Sequence, residues 1–385
     1  MGSRPAPYVF FGNDFDSSTM LFDAPRDIVT ARNGPELRDA FAVLERARRD
    51  GYWSAGFVAY EAGSHFDEAL APRAHGRAMR TPLLCFGLFD GPKTDPVGAR
   101  DSGDEGVFLS GLRSDWDLDT YAEKFAVLHG HLRAGNCYQA NLTFPIRGEW
   151  RGDVLDAFHG LAARQPARYG ACVNLCDPCL VSRSPELFFK VDRDGWIETQ
   201  PMKGTAPRRT DPRADAEEIR KLREDAKTQA ENRMIVDLLR NDISRISEVG
   251  TLDVPALFEV ETYPTLHQMI SRVRAKLLPE TSIHDIFSAL FPCGSITGAP
   301  KIAAMEILDD LETAPREAYC GAIGYIAPGG EMRFNVAIRT ISLFADGEAV
   351  FNVGGGIVFD SVAEAEYEEA LLKARFAAGD RWISR

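Results

Sequence analysis

Apolar residues recur along this chain at two periods, and the switches between them mark out its elements. Leu37, Phe41 and Leu44 predict a helix from Pro35 to Arg49, with Arg46 and Arg48 in its last turn and Gly51 as its stop. Trp53 to Tyr60 and Pro82 to Phe89 are short continuous apolar runs, the pattern of buried strands. Tyr121, Phe125, Leu128 and Leu132 return to the helical period over 116–135, with Asp119 as N-cap and Gly135 as the end. Cys137 to Phe144 then alternates, so that Gln139, Asn141 and Thr143 share one polar face. That face belongs either to solvent or to a wet cavity. A short helix follows over 153–164, then strands over 169–175 and 179–191, the second interrupted by Ser184-Pro185-Glu186.

Leu187–Val191 and Trp196–Thr199 flank Asp194-Gly195, a hairpin signature. Pro207-Arg208-Arg209 reads as loop, which places Lys203 at a strand end beside Gly204 and Thr205. Ile219, Leu222, Ala226, Ala230, Met234 and Leu238 predict one long helix from Asp215 to Arg240. Phe291 to Pro300 is a turn and helix entry, with Ile302, Met305, Leu308 and Leu311 on the buried face beyond it. Cys320–Ala327, Met332–Phe344 and Ala349–Val358 are three more strands. Ser361-Val362-Ala363-Glu364 reads as a capping box opening the last helix.

Composition narrows the class. The chain has 385 residues, 45% of them hydrophobic, enough for a large core. Residues 91–106 are rich in Gly, Pro and Asp and divide a short N-terminal α+β region, 1–115, from a main region, 116–385. A net charge of −13 without a long basic run argues against nucleic acid as a partner. No run of about 18 apolar residues is present to span a membrane. Seven scattered cysteines and an N-terminus without a signal-peptide pattern point to the cytoplasm. Cys172, Cys176 and Cys179 lack a matching second pair and do not make a zinc site.

Several residues carry candidate chemistry. Lys203 is either a surface lysine or, if desolvated, a nucleophile. Glu231 falls on the stripe of Met234, Ile235 and Leu238, where a carboxylate needs a partner, a metal or a path to water. Arg339 shares a strand face with Asn335 and Ala337, as an anion clamp or as a solvated side chain. Gly354, Gly355 and Gly356 would let a ligand approach main-chain N–H groups. Glu366, Glu369 and Lys373 share a helix face. Two carboxylates there repel each other unless Lys373 pairs with one of them or a hard cation sits between them.

Taken together, six ordered blocks resemble the chorismate-utilising enzymes, a family that includes anthranilate, isochorismate, salicylate and aminodeoxychorismate synthases. The blocks are Pro201–Thr205, Glu231–Asp242, Phe291–Lys301, Tyr319–Tyr325, Asn335–Thr340 and Gly354–Glu369. The likeness covers roughly 116–380 and only loosely the first 110 residues, mainly at Gly56–Glu61. It implies an α+β fold of two large antiparallel sheets packed as a sandwich with flanking helices.

It also implies roles. Glu231 and Glu369, with Glu366 close by, would hold Mg2+, and Glu186 would be a general acid. Arg339, Tyr325 and the amides of Gly354–Gly356 would bind the enolpyruvyl carboxylate of chorismate, and Thr297, His267 and Lys373 would line the pocket with Gln139 and Thr205. Lys203 stands where the anthranilate and salicylate branches carry a small residue, and Gln139 where the water-using branches carry a lysine. Both positions imply amination of chorismate at C4 through attack by Lys203 on C2, with anthranilate formation as the alternative. The sequence carries no glutaminase motif, so the nitrogen would come as ammonia or from a glutamine amidotransferase subunit. Phe359 departs from the family pattern, standing where many members have a small residue.

Overall fold

The computed structural model describes residues 6–73, 78–94, 109–263 and 266–379. The predicted boundary over 91–106 lies mostly outside these.

The strands assemble into two antiparallel sheets, and among the described residues every ladder is antiparallel. The first runs in the order Gly298–Ala299, Gln139–Glu149, Glu348–Ile357, Thr340–Leu343, Cys179–Ser184, Tyr169–Asn174, Tyr8–Asn13, Ser18–Asp23. Ser110–Ser114 also pairs with Gln139–Glu149. The second runs Met202–Pro207, Leu266–Lys276, Trp196–Thr199, Leu187–Val191, Met332–Val336, Ala322–Ile326, Trp53–Val58, Leu84–Phe89, Asp27–Ala31. Asp253–Thr262 adds to the edge of Leu266–Lys276.

The N-terminal region is not a separate layer. Tyr8–Asn13 pairs with Tyr169–Asn174 in one sheet, and Trp53–Val58 pairs with Ala322–Ile326 in the other. Three apolar clusters follow from this arrangement. Val9, Phe22, Phe57, Phe89, Val173 and Ile323 fill the space between the sheets. Phe144, Ile146, Phe351 and Val353 pack the first sheet against Tyr121, Phe125, Leu308 and Tyr367 of its covering helices. Phe189, Val273 and Phe334 pack the second against Phe41, Ile235 and Phe287. Burial on both faces explains why so many strands read as continuous apolar runs.

Four local expectations are corrected. The helix Leu118–Arg133 is capped by Asp117, whose side chain accepts from Thr120 N at 2.9 Å, rather than by Asp119. The long helix predicted from Asp215 to Arg240 is two, Pro212–Glu224 and Ala226–Ser244. Asp225 in an extended conformation ends one and caps the other through Thr228 N. The apolar spacing runs through this break because both helices pack on the same sheet. Ser361 does not cap its helix: its hydroxyl accepts from Val358 N and donates to Glu366 Oε1 at 2.6 Å. Lys203 lies within a strand, Met202–Pro207, which carries the hairpin's second strand onward along Leu266–Lys276.

Candidate active site

Two neighbouring strands change sheets at the same level, and the site is built where they cross. The chain leaves Cys179–Ser184 of the first sheet, passes Pro185-Glu186 and enters Leu187–Val191 of the second. Its neighbour leaves Met332–Val336 of the second sheet, passes Ala337–Arg339 and enters Thr340–Leu343 of the first. The predicted single strand Met332–Phe344 is thus broken, and Arg339 takes a left-handed backbone at φ 50°. Main-chain hydrogen bonds lock the crossings together: Arg183 N donates to Arg339 O at 2.9 Å, and Val336 N to Glu186 O at 3.1 Å. Ser184 Oγ donates to Val336 O at 2.6 Å. Where backbones part, side chains have room to converge, so Glu186 and Arg339 reach one cavity of about 330 Å3.

Lys203 enters the same cavity from the second sheet. Its aim is set by a bulge at Gly204, whose φ of 68° shifts the register against Gln268 and Met269. Gln268 clamps the bulge, with Nε2 donating to Gly204 O at 2.6 Å and Oε1 accepting from Thr205 Oγ1 at 3.0 Å. Glycine is required here twice over, because a Cβ would also lie 2.4 Å from Thr228 Cγ2.

The electrostatics are those of groups partly withdrawn from solvent. Burial pushes the Glu186 carboxyl up to about 7, against the pull of Ser295, Lys203 and Arg339. Glu186 is 6% exposed, and its buried Oε1 has no hydrogen-bond partner among the described residues. Burial lowers the Lys203 ammonium below its ordinary range; Glu231 and Glu186 oppose that, and Lys373 adds to it. A carboxyl pushed up to about 7 and a lysine whose ammonium form is disfavoured can serve as an acid and a nucleophile in one cavity.

The opposite wall comes from helices Ala226–Ser244 and Ala363–Lys373, which contribute Glu231, Glu366, Glu369 and Lys373. Asn232, Ile235, Val236 and Leu239 carry the buried face of the first of these helices, and Glu231 lies at its margin. Gly354 and Gly356 line the cavity on Glu348–Ile357. Beyond Ala349–Val350 that strand pairs only with Gln139–Glu149, so its other edge faces the cavity. Lys373 Nζ donates to Gly354 O at 2.9 Å. A Cβ on Gly355 would meet Glu366 Oε2 at 3.3 Å, which puts that glycine against the acidic wall.

The three carboxylates, without histidine or cysteine, suit a hard cation that prefers oxygen, such as Mg2+. Glu366 is held above the ordinary carboxylate range by burial and, beyond the opposing hydrogen bond from Ser361, by the charge of Glu369. A cation would relieve both. The described residues do not gather into a ready ligand cluster, and Glu369 pairs with Lys373 at 2.9 Å.

Thr205 joins the cavity, but other expected residues lie elsewhere. His267 is fully buried between Asp215, 2.9 Å from Nε2, and Thr262, 2.9 Å from Nδ1. Thr297 is also fully buried and donates to Cys293 O at 3.1 Å. Tyr325 lines a different cavity with Phe11, Arg168 and Asn335. Gln139 sits behind the glycines, where a Cβ on Gly356 would be 2.7 Å from its Nε2, and neither amide atom has a partner among the described residues. The polar face of its strand is therefore an inner one: Asn141 lines the cavity, and Thr143 donates through N and Oγ1 to Glu312. Asn352 and Ser295 also line it and were missed. Alternation with Gly354 and Gly356 would have revealed Asn352; nothing in the sequence singles out Ser295.

Comparison with known proteins points to one family. Residues 98–379 match the family described as chorismate binding enzyme. Aminodeoxychorismate synthase component 1 of Salmonella typhimurium is 44% identical over 340 residues, covering 83% of this chain and 74% of that protein. The Klebsiella aerogenes protein of the same name is 44% identical over 267 residues, covering 69% of this chain and 59% of that protein. The chain thus spans between about three-fifths and three-quarters of these two relatives' length. An anthranilate synthase component 1 of Haloarcula marismortui is 37% identical, over 92% of this chain and 73% of that protein. Among solved structures, anthranilate synthase component I from Streptococcus pneumoniae superposes with a TM-score of 0.79 at 26% identity, covering 97% of this chain and 93% of that one.

Proposed function

Because this chain belongs to the chorismate binding enzyme family, we propose that it is an aminodeoxychorismate synthase, exchanging the C4 hydroxyl of chorismate for an amino group. One observation carries the choice of branch: a desolvated lysine, Lys203, shares the cavity with a carboxyl near neutrality, Glu186. The higher identity to aminodeoxychorismate synthases than to the anthranilate synthase supports the same choice.

In this reading Arg339 and the glycine edge bind the enolpyruvyl carboxylate. The neutral amine of Lys203 attacks C2, the two ring double bonds shift, and the C4–O bond breaks. Glu186 delivers its proton to the departing hydroxyl, which leaves as water. Ammonia then forms the C4–N bond as the double bonds shift back and the C2–N bond to Lys203 breaks. Holding the amine against the ring replaces a bimolecular collision with an intramolecular step. Glu231, Glu366 and Glu369 would hold Mg2+, which supplies positive charge against the ring carboxylate. The ammonia comes from solution or from a glutamine amidotransferase subunit. The free cysteines suit a reducing cytoplasm, and no described helix is long and apolar enough to cross a membrane.

The test is to incubate the protein with chorismate, Mg2+ and ammonium and to measure product mass. Aminodeoxychorismate is the expected product. Fluorescent anthranilate with release of pyruvate would assign the other branch, and unconsumed chorismate would reject both.

A further inference from the structure

A second cavity, of about 60 Å3, lies between the turn Tyr60–His65 and helix Lys301–Leu311. Tyr60, Glu61, Ser64, Leu70, Glu312 and Arg316 are among its walls. Its cations are engaged. Arg73 bonds to Asp309 at 3.0 Å and to Asp310 at 2.6 Å. Arg316 bonds to Glu312 at 2.7 Å and packs over the Tyr60 ring at 4.5 Å. Glu61 is different. Its Oε1 accepts from the backbone N–H groups of Arg316 at 2.6 Å and Glu317 at 3.3 Å. Its Oε2 is buried and has no partner among the described residues. A buried carboxylate oxygen without a donor is costly, and a small ligand bringing N–H groups would satisfy it. The space holds only a few molecules the size of water, enough for an ammonium ion.

This cavity backs onto the active site. Arg316 NH2 donates to Asn141 O at 2.6 Å and NH1 to Ile296 O at 3.0 Å, and both acceptor residues line the active-site cavity. The Glu312–Arg316 pair is therefore a wall shared by the two.

We propose that the cavity beside Glu61 binds ammonium and that Glu61 accepts its proton, so that neutral ammonia moves on past Arg316 to the reaction cavity. This rests on the aminating reading above. One N–H bond breaks and its electron pair stays on nitrogen; the proton forms an O–H bond at Oε2 and later returns to water at the cavity mouth. The reaction needs nitrogen as a neutral nucleophile, whereas at neutral pH ammonium predominates, so a base on the route is required. Glu61 suits the task, since burial pushes its carboxyl up to about 7.

The experiment compares wild type with Glu61→Gln, which keeps the Oε1 acceptor and removes the base, and with Leu70→Phe, which fills the cavity and leaves the carboxyl. Glu61→Gln should raise the KM for ammonium by about tenfold, the worth of one charge-assisted hydrogen bond, and Leu70→Phe should raise it by a similar factor by taking up the ion's space. The KM for chorismate and the mass of the Lys203 adduct formed without ammonium should stay unchanged. Ammonium chloride should raise the Tm of wild type above its value in equimolar potassium chloride, and Glu61→Gln should lose that increment. An unchanged KM for ammonium in either folded variant, or an equal Tm increment in wild type and Glu61→Gln, overturns the proposal. If no protein aminates chorismate, the function reading fails and the Tm increment alone decides whether the ammonium site stands.

Discussion

Replacing Glu186 with glutamine should stabilise the fold at alkaline pH while it slows turnover. A rise from the ordinary 4.5 to about 7 means that ionising this buried carboxyl costs about 3.4 kcal/mol more in the folded protein than in the unfolded chain. The folded pKa is the higher one, so the folded state binds the extra proton. Stability from this group is fully present below about pH 4.5 and is lost as pH rises through 7. Linkage gives a loss of about 0.8 kcal/mol at pH 5 and about 3.3 kcal/mol at pH 8. Glutamine has no such term, so the variant should gain about 2.5 kcal/mol on wild type between those two pH values. Glu61 titrates in the same range but is present in both proteins and cancels. Urea unfolding of both proteins at pH 5, 6, 7 and 8 measures the difference directly. Parallel stability curves would refute the desolvated carboxyl and with it the argument for a proton donor. In the same variant chorismate should still bind, with turnover at least about a hundredfold slower, because the amide cannot donate the proton.

Other outcomes follow from single contacts. Lys203→Ala should lose C4 amination, and wild type given chorismate and Mg2+ without ammonia should carry a mass adduct on the Lys203 peptide; an adduct-free wild type and a fully active variant would mean direct attack by ammonia. Gly204→Ala should cost about 2 kcal/mol or more in urea unfolding, from strain at φ 68° and contact with Thr228, with Lys203 misaimed and activity reduced. Glu369→Gln should abolish turnover at ordinary Mg2+ while keeping the melting profile, and full activity there would remove this residue from the metal's ligands. Arg316→Met should cost about 3–5 kcal/mol, because Glu312 would stay buried beside Thr143 with its charge unmatched.

The sequence was most legible where burial wrote a period. The helix from Gly34 to Arg49 and the hairpin around Asp194-Gly195 lie where periodicity and turn residues put them. It was least legible where two elements share one environment. The helices either side of Asp225 face the same sheet, so their stripes run together. The crossing at Ala337–Arg339 is hidden because both halves of that strand are buried, one in each sheet. The cavity residues were legible through resemblance more than through pattern: alternation marked Asn141, but only the fold tells that its face is inward. Thr297 carries its hydroxyl in a family block yet donates it to the nearby Cys293 carbonyl, while His267, outside the blocks, is bonded to Asp215, which is distant in sequence.

The paired crossings also make the width of the active site a covalent quantity. Glu186 and Arg339 are each carried on a span of two or three residues whose ends are fixed in different sheets, and such a span reaches at most about 7–10 Å. Widening the gap would stretch two backbones at once, with the hydrogen bonds between them opposing any slip of one past the other. The spacing of Glu186 and Arg339 is therefore set by chain length and not by how tightly the core is packed. Variants that loosen the apolar layer between the sheets should melt earlier yet keep the same preference among ring substrates, whereas one residue inserted beside Pro185 should change that preference with little effect on the core.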